Sequence, residues 1–213
     1  MPELGVPKFK AIAIRDTVAV ALRRSLLEGK FRPGEDLSDA AIASEFQISR
    51  GPVREAMLVL AGEGLLTHTH NRGFSVPTFT ARDLEQIEVV RLPLETEALS
   101  AAREHVTALY LQRLTEIKKE LVHFFEAAQL AGWIHGEIEF HSMIWEMSGN
   151  PWLETSLRRV VIPSFTYATS FQTSRPELTP ESVERNHLVY IEFLSGCDNR
   201  TAEECVRIHV GRS

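Results

Sequence analysis

The hydrophobic period of this chain changes twice along its length, and that change restricts the folds open to it. From Arg15 to about Gly62 apolar residues recur at helical spacing, from Leu65 to Thr78 they alternate, and from Thr80 onward helical spacing returns in long runs. A short alternating stretch between helical segments is a hairpin, too small to be a sheet in its own right. The expected fold is therefore mostly α: an N-terminal winged helix-turn-helix with a small β-hairpin, then an all-helical antiparallel bundle. The boundary falls near residues 76–80, giving domains 1–78 and 79–213.

Within the first segment, Val18, Leu22 and Leu26 stand four apart and define an amphipathic helix that Gly29 ends. "FRPGEDL" is a turn. Ser38 then caps a short helix whose Ala41, Ile42 and Phe46 are expected to face inward, and Ser49 caps a further one. Pro52 is tolerated in that first turn because the amide it lacks has no intrahelical partner there. Val53, Ala56 and Leu60 form the packing stripe of this helix. Arg50 and Arg54 lie roughly 60–120° around from it at about 100° per residue, and so point outward. "LLTHTH", "NRG" and "FSVPT" read as two strands around a turn, and "TARD" (Thr80 to Asp83) as a capping box. Helices are expected over about 82–104, 107–130, 133–148, 152–171 and 180–195, and from about Thr201. The breaks are Gly132, "GNP" at Gly149 to Pro151, "TSRPELTP" at Thr173 to Pro180 and "SGCDN" at Ser195 to Asn199. The chain stops four residues after His209, early for a final helix, so a shortened or irregular C-terminus is expected.

Composition excludes several classes. Hydrophobic residues at 44% and charged residues at 24% match a globular protein and not a disordered one. The longest apolar run, Ala56 to Ala61, is far short of the about 20 residues of a membrane span, and the opening "MPELGVPKFK" has no apolar core of a signal peptide. No membrane partner and a cytoplasmic location are expected. Cys197 and Cys205, eight apart, suit reduced thiols. The net charge is −6, but it is unevenly shared: residues 1–78 carry 10 Lys and Arg against 9 Asp and Glu, and the remainder 13 against 20. Any contact with a polyanion must come from a few placed cations in the first segment.

Two constellations carry chemistry. In "SRGPVREAM", Arg50 and Arg54 can each make a bidentate pair with guanine or clamp a phosphate, while Ser49 and Gly51 leave room for close approach. The hairpin tip adds His70, Asn71 and Arg72. In the acidic half, Glu137 and His141 are one helical turn apart, and His187 and His209 sit on two later helices that antiparallel packing would bring together. A carboxylate with three imidazoles suits a divalent transition metal such as Zn, Ni or Mn. Taken alone, the arginines also fit a solvated helix face, and the histidines fit buried structural residues. His68, His105, His123 and His135 show no comparable grouping.

The stretch from Leu22 to Val76 resembles the DNA-binding domain of the GntR superfamily of bacterial transcription regulators. The matching pieces are "L-x-G-x-x-x-P-G" at Leu27 to Gly34, "SRGPVREAM", "GLL" at Gly64 to Leu66 and "NRGFSV". The resemblance implies a homodimer on a short palindrome of double-stranded DNA, read by Ser49, Arg50, Gly51 and Arg54 with a wing at His70, Asn71, Arg72 and Gly73. It also places Ala40 where such proteins often carry an operator-contacting arginine. Residues 80–209 resemble the helical FCD effector domain of the FadR-type branch, with Glu137, His141, His187 and His209 as metal ligands. Glu137 stands where aspartate is usual. "VVRLPLE" matches an arginine–glutamate pair, Arg91 and Glu95, and Arg91 is implied to hold the carboxylate of a small organic acid effector, although a plain intrahelical pair with Glu95 fits it equally. The expectation is a ligand-responsive regulator and no enzyme. The alternatives are a metal-dependent enzyme using the three-histidine site, or a regulator whose metal is structural or is itself the signal.

Overall fold

Leucine and valine spacing in the first eighty residues organises a core of three helices. The computed structural model describes residues 8–171 and 178–210 and divides into two units, Met1–Thr78 and Phe79–Ser213. In the first unit, α1 (Lys8–Leu27) buries Val18, Leu22 and Leu26 against α3 (Arg50–Gly62), whose Val53, Ala56, Met57 and Leu60 are fully buried. Arg23 on α1 donates two hydrogen bonds to Glu63 just past α3, at 3.0 and 2.6 Å. That forked pair fixes the register of the two helices.

Helix α2 (Asp39–Glu45) starts where expected: the Ser38 hydroxyl accepts from the Ala41 amide at 3.3 Å. Its inward face differs from the sequence expectation. Ile42 and Ala43 are buried, whereas Ala41 is exposed and Phe46, the C-terminal cap, is 40% exposed. Seven residues make only two turns, so one adjacent pair fills the contact and the residues a turn away face solvent. Ser49 occupies the N-cap position of α3, but its side chain makes no capping hydrogen bond.

The expected hairpin is the larger part of a three-stranded antiparallel sheet. Strand β2 (Thr67–Thr69) pairs with β3 (Gly73–Ser75), and β3 pairs on its other edge with β1 (Asp36–Leu37), which lies within the stretch read as a turn. Asn71 at φ +63° and Gly73 at φ +93° make the reversal at the wing tip. Phe74, on the middle strand, is 2% exposed and anchors the wing to its own unit.

The second unit comprises α4 (Ala81–His105), α5 (Ala108–Glu126), α6 (Leu130–Met147), α7 (Pro151–Phe171), α8 (Pro180–Ser195) and α9 (Ala202–His209). Thr80 and Asp83 form the reciprocal capping box that opens α4. The break expected at "TSRPELTP" lies mostly outside the described residues, as do residues 211–213, where an irregular end is expected. One boundary moves. Helix α5 stops at Glu126 and Ala128 takes φ +51°, so the turn precedes Gly132, which falls inside α6. Gly132 and Gly136 are contact points: a Cβ would stand 2.7 Å from the Phe124 ring in the first case and 2.8 Å from Leu121 in the second. This close approach seats α6 on α5; α6 also packs against α4 and α7, and it buries Ile134, Phe140, Ile144 and Trp145 together with Glu137 and His141. No helix among the described residues is long and apolar enough to cross a membrane.

In an ordinary helix interior, Gly→Ala stabilises; at Gly136 the sign should reverse, because Leu121 is fully buried and has no room to yield. Gly136→Ala is expected to destabilise the protein by about 1–3 kcal/mol, the usual cost of overpacking. A lowered urea midpoint with an unchanged slope checks this, and a raised midpoint contradicts it.

Candidate functional site

In the first unit the outward face of α3 begins at its first residue. Arg50 and Arg54 are 66% and 54% exposed at their side chains, while the apolar stripe of the same helix is buried. Gly51 is exposed and leaves open space where a Cβ would be. At the wing tip His70, Asn71 and Arg72 are exposed. Both α3 arginines converge on Asp39, the first residue of α2: Arg50 donates to one carboxylate oxygen at 2.8 Å, and Arg54 lies 3.7 Å from the other. Ala40, beside it, is exposed and offers no donor.

In the second unit, four of the residues singled out from sequence come together. Glu137 and His141 project from one face of α6, His187 from α8, and His209 from the last turn of α9. Ligand atoms of Glu137, His187 and His209 lie within 4.8 Å of one another. The Nε2 atom of His141 lies 2.9 Å from that of His209 and 3.7 Å from Glu137 Oε2, and His187 Nε2 lies 3.3 Å from Glu137 Oε1. Glu137 reaches the cluster although it is one methylene longer than aspartate.

The outer nitrogens explain why the inner ones face each other. His187 Nδ1 donates to the Val183 carbonyl at 2.8 Å, and His209 Nδ1 to the Asn186 carbonyl at 2.9 Å. When neutral, each of these rings presents a lone pair at Nε2. His141 Nδ1 lies 3.1 Å from Glu95 Oε1, and the other oxygen of Glu95 accepts from Arg91 at 2.9 Å. A neutral His141 has one N–H for two acceptors, Glu95 and the His209 lone pair. A cation held at Nε2 would remove that conflict and leave the Nδ1 proton facing Glu95, as a carboxylate orients a metal-ligating histidine. The buried Nε2 of His187 faces Glu137 without a hydrogen bond, and His141 Nδ1 and Glu95 Oε1 face each other without one; orphaned polar atoms at the cluster are a further sign that the donor set fits a metal. Glu137, His141, His187 and His209 would hold a divalent ion here, which would supply a Lewis acid.

Electrostatics agree with this chemistry. Burial would raise the Glu137 carboxyl, but His187, His209 and His141 override it and hold it at about 2. Burial would likewise raise Glu95, yet Arg91 and His141 hold it well below the usual carboxylate range. Burial and the neighbouring imidazoles push His209 well below its ordinary value, which keeps it neutral. His187 runs the other way: burial lowers it, but the facing Glu137 charge raises it on balance, with Lys118 opposing. Around the cluster stand Phe140, Trp145, Phe165 and Tyr190, and the Arg91 guanidinium lies 5.5 Å from the Phe165 ring centroid.

One residue of these sites escaped sequence reasoning, and a second was legible only in part. Asp39 stands 11 positions before Arg50, on another helix, with no periodic signal linking them. Glu95 is legible only as the i+4 partner of Arg91; that its second oxygen meets His141 is set by the packing of α4 on α6.

Comparison with known proteins places the chain. Residues 14–76 match the model for bacterial regulatory proteins of the gntR family, and residues 86–212 match the FCD domain. The chain belongs to the GntR family of bacterial regulatory proteins and carries an FCD domain. It is 33% identical over 144 residues to the uncharacterized HTH-type transcriptional regulator YdhC of Bacillus subtilis (strain 168), covering 65% of this chain and 62% of that one. It is 26% identical over 205 residues to the HTH-type transcriptional regulator McbR of Escherichia coli (strain K12), covering 95% and 91%. Among solved structures, E. coli McbR/YncC shares the fold at TM-score 0.76 and 23% identity, over 93% of this chain and 94% of that one. A putative GntR regulator from Rhodococcus sp. RHA1 does so at 0.73 and 23%, over 92% and 93%. The chain is a transcription regulator of this family.

Metal uptake should depend on pH through the raised His187, because the ion must displace its proton. Apparent zinc affinity is expected to rise with pH and to level off once pH passes the His187 value; a flat profile from pH 5.5 to 8 counts against ligation by His187. Glu95→Gln is expected to weaken zinc binding by about 10–100-fold, as loss of a histidine-orienting partner does. Competition with a chromophoric chelator measures both effects.

Proposed function

We propose that this protein is a ligand-responsive regulator that binds a palindromic operator in double-stranded DNA as a homodimer, with its affinity set by a small organic acid bound beside a divalent transition metal (Zn, Ni or Mn) in the helical unit. The observation that carries this is the convergence of Glu137, His141, His187 and His209 at the centre of the bundle, in a chain whose first unit turns Arg50 and Arg54 outward at the start of a helix. In this reading Ser49, Arg50, Gly51 and Arg54 meet the major groove. His70, Asn71, Arg72 and Gly73 follow the adjacent backbone or minor groove. A two-fold dimer presents two such helices to half-sites about 34 Å apart, one helical turn of DNA.

Coupling between the units is a free-energy linkage. The acid must bind the DNA-bound and DNA-free forms with different affinity, typically by about 1–3 kcal/mol, and DNA then changes acid affinity by the same factor. Arg91 stands at the cluster, with its terminal nitrogen 3.5 Å from His141 Nε2. Its engagement with Glu95 favours a second reading in which the metal is structural or is itself the signal, because the guanidinium is already partly spent.

Calorimetry on zinc-loaded protein with a panel of dicarboxylates and hydroxy acids separates the two: heat of binding from one class supports the acid effector, and silence from all supports the metal. For DNA, Arg50→Ala is expected to cost about 1–3 kcal/mol of discrimination between the selected duplex and a scrambled one while leaving fold and oligomeric state intact. Unchanged discrimination in a gel shift refutes the assignment of α3.

A further inference from the structure

The carboxylate between the two arginines is more than a surface ion pair. Asp39 is 13% exposed at its side chain, while its partners are 66% and 54% exposed. The start of α2 holds the Asp39 backbone, since Ser38 caps the helix and Asp39 is its first residue. Arg50 spends one terminal nitrogen on Asp39 Oδ1, and Arg54 approaches Oδ2. Arg54 is also bounded on another side, its guanidinium carbon 5.9 Å from the Phe74 ring centroid, and Phe74 in turn stacks on His68 at 4.6 Å. Two long, flexible side chains at the head of α3 are thus fixed by α2 and by the wing.

We propose that Asp39 is a positioning residue for DNA reading: it sets the orientation in which Arg50 and Arg54 meet base edges, so that discrimination depends on a side chain that contacts the arginines and not the bases. This rests on the reading of α3 given above. A guanidinium has five N–H donors in a planar fork, so an arginine bonded to Asp39 through one edge still offers the other to guanine O6 and N7. Bidentate recognition depends on the plane of that fork, and a buttressed arginine keeps the plane. A phosphate clamp has no such requirement. For a clamp, Asp39 would only subtract attraction, by placing a negative charge beside the cations.

The two roles predict opposite results. The full-length protein is used to select its best duplex from a randomised pool, and affinities are measured for that duplex, for every single-base substitution of it and for a scrambled control. The proteins compared are wild type and the variants Arg50→Ala, Asp39→Ala, Asp39→Asn and Asp39→Glu. Asp39→Ala and Asp39→Asn are expected to lower discrimination about tenfold at the same base positions that Arg50→Ala affects, with affinity for the scrambled control unchanged or tighter. Asp39→Glu should restore part of the loss. The Asn variant keeps the side-chain shape, and its melting temperature separates a reading defect from a folding one. If Arg50→Ala loses discrimination but Asp39→Ala and Asp39→Asn keep it, or bind all duplexes more tightly by one common factor, Asp39 has no positioning role and the recognition helix stands. If all four variants discriminate as wild type does, the assignment of α3 fails as well, and the proposal with it.

Discussion

The helical unit is organised around ionisable groups taken out of water together. Glu95, Glu137, His141 and His187 are each at most 5% exposed, in a bundle whose other central residues are aromatic and aliphatic. A lone carboxylate in such surroundings would cost many kcal/mol, so each must be balanced by its neighbours. Arg91 balances Glu95, whose other oxygen faces the outer nitrogen of His141 at 3.1 Å. With neutral imidazoles the sum over Arg91, Glu95 and Glu137 is one negative charge. A proton on His187 or a cation among the inner nitrogens supplies the missing positive charge. The raised His187 and the depressed Glu137 are two expressions of that deficit.

Packing of the backbone serves this arrangement. Gly132 and Gly136 let α6 approach α5 closely, and the opposite face of α6 carries Glu137 and His141 inward. Helix α8 contributes His187 and the carbonyl of Asn186, and that carbonyl orients His209 at the end of α9. Short α9 is held through α4 and α8, and the imidazole it delivers to the cluster belongs to its last helical residue.

The first unit solves a different problem, which is to keep a polar surface ordered without burying it. Helix α3 divides its circumference: Val53, Ala56, Met57 and Leu60 are buried, and Arg50 and Arg54 face solvent. Exposed ion pairs add little to stability. The contacts of Asp39 and Phe74 with these arginines therefore matter for orientation, which a base edge can sense and a melting curve barely registers.

Periodicity alone determined the helices, the wing hairpin and the outward placement of Arg50 and Arg54, because those properties follow from residues within one or two turns of each other. Helical spacing grouped Glu137, His141, His187 and His209 and resemblance to a known family singled them out as a set, and the structure brings their side chains to one centre. Short-range patterns misjudged the α5–α6 boundary, because Gly132 reads as a breaker unless Phe124 is known to lie against it. They misjudged Phe46 because α2 is too short for a full helical stripe. Strand β1 was missed because two residues carry no alternation; it exists through pairing with β3. Tertiary structure alone decided the second partners: Asp39 between two arginines of another helix, and Glu95 between Arg91 and His141. A carboxylate's local sequence shows which neighbour it can reach along its own helix, but only packing brings a distant group to its other oxygen.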